Sequence, residues 1–183
     1  MLGRQASLDL VRLHVQKENN IKHMIAVGAV MRSLAGRLGQ DAELWEAVGI
    51  LHDIDFEKCT GMGDHTLIAR GILTGKVDFP VIEAIMAHNY EATGVPVDNQ
   101  LKRGLITSDA VSGLVIACAL VMPSRKLADV KVESVIKKFG NKDFARGCDR
   151  NRIASCSELD LELNEFLGIA LEGMRVRAEE LGL

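Results

Sequence analysis

Apolar residues recur at intervals of three and four along most of the chain, which is the spacing of one face of a helix. The clearest run lies between residues 21 and 38, and Gly39 follows it as a predicted C-terminal stop. Its apolar positions are Ile21, Met24, Ile25, Gly28, Met31, Leu34, Ala35 and Leu38. Few stretches alternate between apolar and polar residues, and strong helix formers dominate the composition. The pattern therefore predicts an all-α fold.

The same periodicity, together with the turn residues between periodic segments, places the individual helices. We predict helices over residues 7–17, 21–38, 42–53, 64–75, 78–89, 99–121, 132–139, 150–156 and 161–181. The predicted N-terminal caps are Ser7, Asn19 or Asn20, Asp41 and Asp64. We expect a loop over residues 55–63. The helix over 99–121 is apolar around much of its circumference, which predicts a central, buried helix.

The composition is that of a soluble globular protein, with 48% apolar and 26% charged residues in a chain of 183. The most apolar run, residues 110–122, is too short to cross a membrane, and no apolar segment of signal-peptide length follows the first residues. We therefore expect a cytoplasmic protein with no membrane partner. The four cysteines show no CxxC spacing, so free thiols are expected rather than disulfides or a zinc–thiolate site.

Charge is distributed unevenly, although the formal net charge is only −3. Residues 124–152 hold nine Lys or Arg against four Asp or Glu, and the rest of the chain is acidic. Such a basic segment indicates either an anionic partner or a solvated helical face, and the sequence leaves both interpretations open. Aromatic residues for base stacking are not interleaved in it, and we see no nucleic-acid-binding module.

Four histidines, at positions 23, 52, 65 and 88, fall at or near predicted helix ends. A single histidine is more often an ordinary core or surface residue than a metal ligand. At helix ends, however, all four side chains can turn toward one shared cleft. Asp53 directly follows His52, so an imidazole and a carboxylate emerge together from an apolar segment. This set indicates a candidate metal site.

Asp109 lies in the middle of the predicted central helix, where an apolar stretch follows it. An ionised carboxylate is costly in such a place unless a cation lies nearby. The alternative is a carboxylate paired with Arg103, Arg32 or another base, or hydrogen-bonded by Thr107 and Ser108. Imidazoles combined with carboxylates are typical of sites for iron, manganese, zinc, nickel or cobalt rather than calcium.

The order of these residues resembles the signature of the HD superfamily of metal-dependent phosphohydrolases: a His, then His-Asp, then a later Asp. Here the matching residues are His23, His52-Asp53 and Asp109. The chain also resembles the six-ligand, dinuclear version, whose two extra histidines are matched by His65 and His88. The match covers about residues 20–115.

The resemblance implies an HD-domain helical bundle over residues 1–122, with a C-terminal helical extension over 123–183 packed on it. It also implies two divalent metal ions. His23, His52, Asp53 and Asp109 would hold one ion and His65 and His88 the other, with Asp53 bridging both.

Segments beyond Leu101 also resemble a branch of predicted HD hydrolases that carries no assigned substrate. These segments are SDAVSGL at 108–114, KLADVKVESVIKKF at 126–139 and FARGCDRNRI at 144–153. One departure stands out, because this chain reads HDID where relatives read HDIG. Relatives with the HD-x-G-K doublet also place a substrate-contacting Lys three residues after the Asp, and here that residue is Phe56.

The function implied by the resemblance is hydrolysis of a phosphate ester in a nucleotide or another small phosphorylated metabolite by metal-activated water. Asp53 and Asp109 would be the catalytic residues that orient or deprotonate this water. As phosphate-binding residues we predict Arg70, Arg103, Lys126 and Arg146, each of which is otherwise an ordinary surface ion-pairing residue.

Two alternatives stay open at this point. An HD-type diiron oxygenase has the same ligand pattern, although Phe56 argues against the inositol-cleaving kind. A noncatalytic, metal-stabilised module that senses a ligand would bind metal without turnover.

Overall fold

A computed structural model of the chain describes residues 2–61 and 63–183, and within them it contains eleven α-helices and no strand. The helices are α1 (Arg4–His14), α2 (Glu18–Leu38), α3 (Ala42–Leu51), α4 (Leu67–Leu73), α5 (Phe79–His88), α6 (Tyr90–Thr93), α7 (Gln100–Leu120), α8 (Val132–Gly140), α9 (Arg150–Ala154), α10 (Leu163–Val176) and α11 (Ala178–Leu181). The predicted all-α class is confirmed. Met62, within the predicted loop 55–63, and Met1 lie outside the described residues.

Two long helices, α2 and α7, form the centre of the fold, and α3, α5 and α10 pack around them. Each has a broad apolar surface, and burying such surface is the main force that holds helices together. The largest fully buried side chains include Met24, Met31, Leu34, Leu105, Ile106, Leu114 and Phe166. The predicted central helix is therefore in the core, as α7.

By length and composition alone, α7 is apolar enough to cross a membrane. However, 61% of its most apolar window is buried inside the fold. The core helix of a soluble protein passes the same test, so this helix alone is weak evidence for a membrane span.

The C-terminal helices share the core of the N-terminal part. Phe166, Leu171 and Met174 of α10 are fully buried and belong to the same apolar cluster as Met24 and Leu105. The division into residues 1–122 and 123–183 stays a prediction, and the core is continuous across it.

The starts of α1 and α2 lie before their predicted caps, and at α2 a distant side chain holds the chain instead. Asp41 caps α3 as predicted, accepting from the N–H groups of Glu43 and Leu44, and Gly39 ends α2 in the left-handed conformation. Ser7 lies inside α1, where its hydroxyl donates to the Gly3 carbonyl.

The start of α2 shows the physical reason most clearly. The helix begins at Glu18, before the predicted caps Asn19 and Asn20. The carboxylate of Glu57, on the segment after α3, accepts from the N–H groups of Gln16 and Lys17. An acceptor 40 residues away in sequence thus anchors the chain at this helix start.

The basic segment contains a compact loop between α8 and α9. The Arg150 guanidinium lies inside this loop and donates to five backbone carbonyls at distances from 2.5 to 3.4 Å. The acceptors are the carbonyl groups of Phe139, Asn141, Phe144, Ala145 and Cys148. Part of the positive charge in this segment is therefore structural.

Candidate metal centre

Five separate parts of the fold contribute the six predicted metal ligands. His23 lies in the second turn of α2, His52 and Asp53 follow the last turn of α3, and His65 lies two residues before α4. His88 is the last residue of α5, and Asp109 lies midway along α7. The structure brings all six side chains together, although His23 is one turn further into its helix than the sequence indicated.

The imidazole Nε2 atoms converge on the two carboxylates. His23 Nε2 is 3.0 Å from Asp109 Oδ1, and His65 Nε2 is 3.3 Å from Asp53 Oδ1. His52 Nε2 lies between the two carboxylates, 3.4 Å from Asp53 Oδ1 and 3.7 Å from Asp109 Oδ1. His88 Nε2 is 3.8 Å from Asp53 Oδ1 and 3.9 Å from Asp109 Oδ2. Each of the four Nε2 atoms thus lies within 4 Å of at least one of the two carboxylates.

The opposite ring nitrogens are held by second partners in three of the four histidines. His52 Nδ1 lies 2.7 Å from the Gly49 carbonyl, which can only accept, so the proton is on Nδ1. Ser112 Oγ donates to the Asp109 carbonyl and lies 3.3 Å from His23 Nδ1. His65 Nδ1 lies 3.0 Å from Asp55 Oδ1. Such outer partners leave Nε2 free to bind metal.

One atom tests directly whether this site fits a cation. His52 is fully buried, and its Nε2 has no hydrogen-bond partner although it faces two carboxylates. A buried polar atom without a partner is costly, and a coordinated ion would satisfy this lone pair. His23, His52 and Asp109 form one group with ligand spacing, and His52, Asp53 and His88 form another. The residues present therefore fit one or two divalent cations.

The electrostatics of the site favour positive charge. Burial lowers the pKa of His52, but Asp53 and Asp109 outweigh that effect and raise it to about 9, so without metal His52 also carries a proton on Nε2, which a bound cation would displace. Burial raises the pKa of Asp109, but the neighbouring imidazoles of His23, at 3.0 Å, and His52, at 3.7 Å, hold it well below its ordinary value. Burial lowers the pKa of His88 to about 4 despite Asp109, so this imidazole is neutral, as a metal ligand must be.

The predicted alternative for Asp109, a pair with Arg32 or Arg103, is wrong. Arg32 binds the buried carboxylate of Glu46 at 2.8 Å, and Arg103 lies 2.5 Å from Glu158. The Asp109 carboxylate instead faces the histidines.

The site opens into a cleft of about 440 Å³, which His23 and Asp109 line at its base. Its other lining residues are Glu91, Ala110, Gly113, Gly147, Cys148, Asp149 and Arg152. Arg152 is the one Lys or Arg among the described lining residues. Its guanidinium lies 3.0 Å from Glu91 and 5.5 Å from the centre of the Tyr90 ring.

None of the four predicted phosphate-binding residues lines this cleft. Arg70 is on the exposed side of α4, Lys126 is exposed, and Arg103 is paired with Glu158. Arg146 is largely exposed and pairs with Asp143. Their role in substrate binding stays a prediction, and their positions do not favour it.

Sequence reasoning missed two residues at the site, Asp55 and Arg152. Asp55 was visible beside the His-Asp doublet, but its contacts with His65 and with two backbone N–H groups are not apparent from the sequence. Arg152 lies in the basic segment, where charge alone does not distinguish it from its neighbours. Phe56, the residue three positions after Asp53, packs edge-on against His65, with ring centres 5.9 Å apart.

A scan against protein-family models found one match, described as HD domain, over residues 20–111, which is half of the chain. Comparisons with curated proteins and with solved structures found no match. The matched range contains all six candidate ligands.

Proposed function

The chain belongs to the HD-domain family, whose members are mostly metal-dependent hydrolases, and we propose that it hydrolyses a phosphate ester of a nucleotide or another small phosphorylated metabolite. The observation that carries the proposal is the convergence of four Nε2 atoms on two carboxylates, with His52 Nε2 buried and without a partner. Nitrogen and oxygen donors of this kind suit iron, manganese, zinc, nickel or cobalt.

The six side chains would hold two such ions, which supply an activated water and polarise the phosphoryl oxygens. The two groups with ligand spacing share His52, and Asp53 directs its two oxygens toward different histidines. Asp53 is therefore the residue placed to bridge the two positions.

Asp109 is the carboxylate that we assign to the proton of the attacking water. Its side chain lines the cleft, whereas Asp53 lies deeper among the imidazoles. The depressed pKa of Asp109 keeps it ionised, and its contact with His23 Nε2, at 3.0 Å, fixes its orientation. An oriented carboxylate within reach of the reacting water can accept its proton.

Arg152 is the residue that we assign to the substrate phosphate. Its guanidinium presents paired N–H donors, which match two phosphate oxygens. Its partner Glu91 is mostly exposed, and exposed ion pairs contribute little, so a phosphate can replace Glu91 at low cost. Arg152 would thus take over the phosphate contact that the HD-x-G-K doublet assigns to a lysine at the position of Phe56.

The test is a screen of protein loaded separately with each of the five metals against nucleotides, dinucleotides and phosphomonoesters, under anaerobic conditions. We expect release of phosphate or a nucleoside phosphate with at least one metal, and loss of that activity in Asp53→Asn. Asp143→Asn, at an exposed site, is the matched control.

Absence of hydrolysis in every class would overturn the proposal, as would equal activity in Asp53→Asn, which would indicate a contaminant. In a parallel aerobic assay, oxygen consumption by the iron form without hydrolysis would indicate the oxygenase instead. Metal binding without any turnover would indicate a sensing module.

A further inference from the structure

Asp55 is a fully buried carboxylate that lies outside the set of six candidate ligands. Its Oδ2 accepts from the backbone N–H groups of Thr66, at 2.7 Å, and Ala69, at 2.8 Å. Its Oδ1 lies 3.0 Å from His65 Nδ1. Both carboxylate oxygens are therefore engaged, and one of them contacts a candidate ligand on the side away from the metal centre.

The segment that Asp55 contacts needs an acceptor from elsewhere. Thr66 has a left-handed backbone (φ +69°), which is uncommon for a β-branched residue, and its side chain does not cap α4. The predicted cap, Asp64, accepts from Thr60 instead. Asp55 thus holds the turn that carries His65 and also accepts from the N–H group of Ala69 in the first turn of α4.

A carboxylate only accepts hydrogen bonds, so its contact fixes which nitrogen of His65 carries the proton. With the proton on Nδ1, the Nε2 lone pair points toward Asp53 Oδ1, 3.3 Å away. We propose that Asp55 is a positioning residue that sets the tautomer and orientation of His65 for metal binding. The proposal rests on the proposed metal centre, and it adds a residue that the ligand pattern does not include.

A direct ligand role for Asp55 is the competing interpretation, since Asp55, Cys59 and His65 also have ligand spacing. Two observations argue against it. The Asp55 oxygens are occupied by two N–H groups and an imidazole, and Cys59 Sγ donates to the Asp55 carbonyl at 3.2 Å.

Asp55→Asn separates the two roles of the side chain. The amide oxygen can still accept from Thr66 and Ala69, while the amide NH₂ would donate to His65 Nδ1 and move the imidazole proton to Nε2. Asp55→Ala removes both roles. Asp64→Asn is the matched control, because Asp64 lies beside the same helix start without contacting a candidate ligand.

Three measurements decide the proposal: long-range ¹H–¹⁵N NMR spectra of metal-free protein, titration with Zn²⁺, and thermal unfolding of the metal-free form. In the wild type we expect the His65 proton on Nδ1. In Asp55→Asn we expect it on Nε2, with the weaker Zn²⁺ site reduced in affinity by about 10- to 100-fold. Asp64→Asn should match the wild type in both respects.

A wild-type His65 with its proton on Nε2 would overturn the proposal without any variant, so a misfolded Asp55→Asn protein does not prevent a decision. Wild-type Zn²⁺ affinity in a folded Asp55→Asn, with lower thermal stability only in Asp55→Ala, would reduce Asp55 to a helix cap. If the wild type binds two Zn²⁺ ions and Asp55→Asn loses one, but no phosphate ester is hydrolysed, the proposed function fails and this inference stands.

Discussion

Gly49 of α3 lies directly against Gly28 of α2, so closely that a Cβ atom on Gly49 would be 2.7 Å from the Gly28 Cα. The contact is with backbone, which cannot rotate aside. The two glycines therefore set the spacing of the helices that carry His23 and His52.

Gly49→Ala is expected to lower the free energy of unfolding by about 3 kcal/mol, because the added methyl group must push α2 and α3 apart. Since His52 is only three residues away, metal uptake should fall as well. Gly36→Ala, at an exposed position in α2 with open space around it, should instead raise stability by about 0.5–1 kcal/mol. Urea denaturation of both variants checks this, and equal stabilities would contradict it.

Metal binding should stabilise the fold, because the ions bind a site that only the folded chain assembles. At a free metal concentration 100 times Kd, the expected gain is about 2.7 kcal/mol. Calorimetry with Zn²⁺ or Mn²⁺, and again with excess chelator, measures it. The metal-induced gain in stability should disappear in the Asp53→Asn/Asp109→Asn double variant. A gain of equal size in that variant would mean that the ions bind at another site.

Arg152→Ala should lower kcat/KM for the phosphorylated substrate by about 10- to 100-fold, the loss expected for one or two hydrogen bonds to a charged group. Arg146→Ala removes a guanidinium outside the cleft and should leave kcat/KM unchanged. Glu91→Gln removes the carboxylate that competes with the phosphate, so KM should fall. Steady-state kinetics would contradict this role for Arg152 if Arg146→Ala had the larger effect.

The buried thiols should make the free energy of unfolding fall as the pH rises above 9. Burial raises the pKa of Cys118 and Cys156 to about 11 in the folded protein, from about 9 when exposed. Their contribution to stability is therefore complete below pH 9 and is lost as pH rises toward 11. Urea denaturation between pH 7 and 10.5 should show a steeper decline in wild type than in Cys118→Ala/Cys156→Ala, and equal slopes would contradict the expectation.

The helix pattern could be predicted from the sequence because apolar spacing and residue type are local properties. Asp41 and Gly39 act on residues next to them in sequence, so their roles at α3 and α2 were predicted correctly. The predicted single helix over 161–181 is instead two helices that meet at Arg177. The apolar spacing continues across the break between these two helices, so only the backbone conformation reveals the break.

The six candidate ligands could be picked out because their order matches a known motif, and whether they hold metal stays a prediction. Residues that support the ligands or line the cleft could not be predicted. The partners of Asp55 are an imidazole ten residues away and two backbone N–H groups. Arg152 reaches the cleft only because α9 packs against α7, which brings its guanidinium to Glu91 of α6. Such roles depend on packing and not on spacing.

The loop secured by Arg150 forms one wall of the cleft, through Gly147, Cys148 and Asp149. Five backbone carbonyls accept from the single guanidinium of Arg150, which holds the main chain of this loop in place. Exchanging the side chains of this loop would alter which molecules the cleft accepts while the wall stays in place. A library randomised at Gly147 and Cys148, with Arg150 retained, is thus a natural starting point for redirecting specificity.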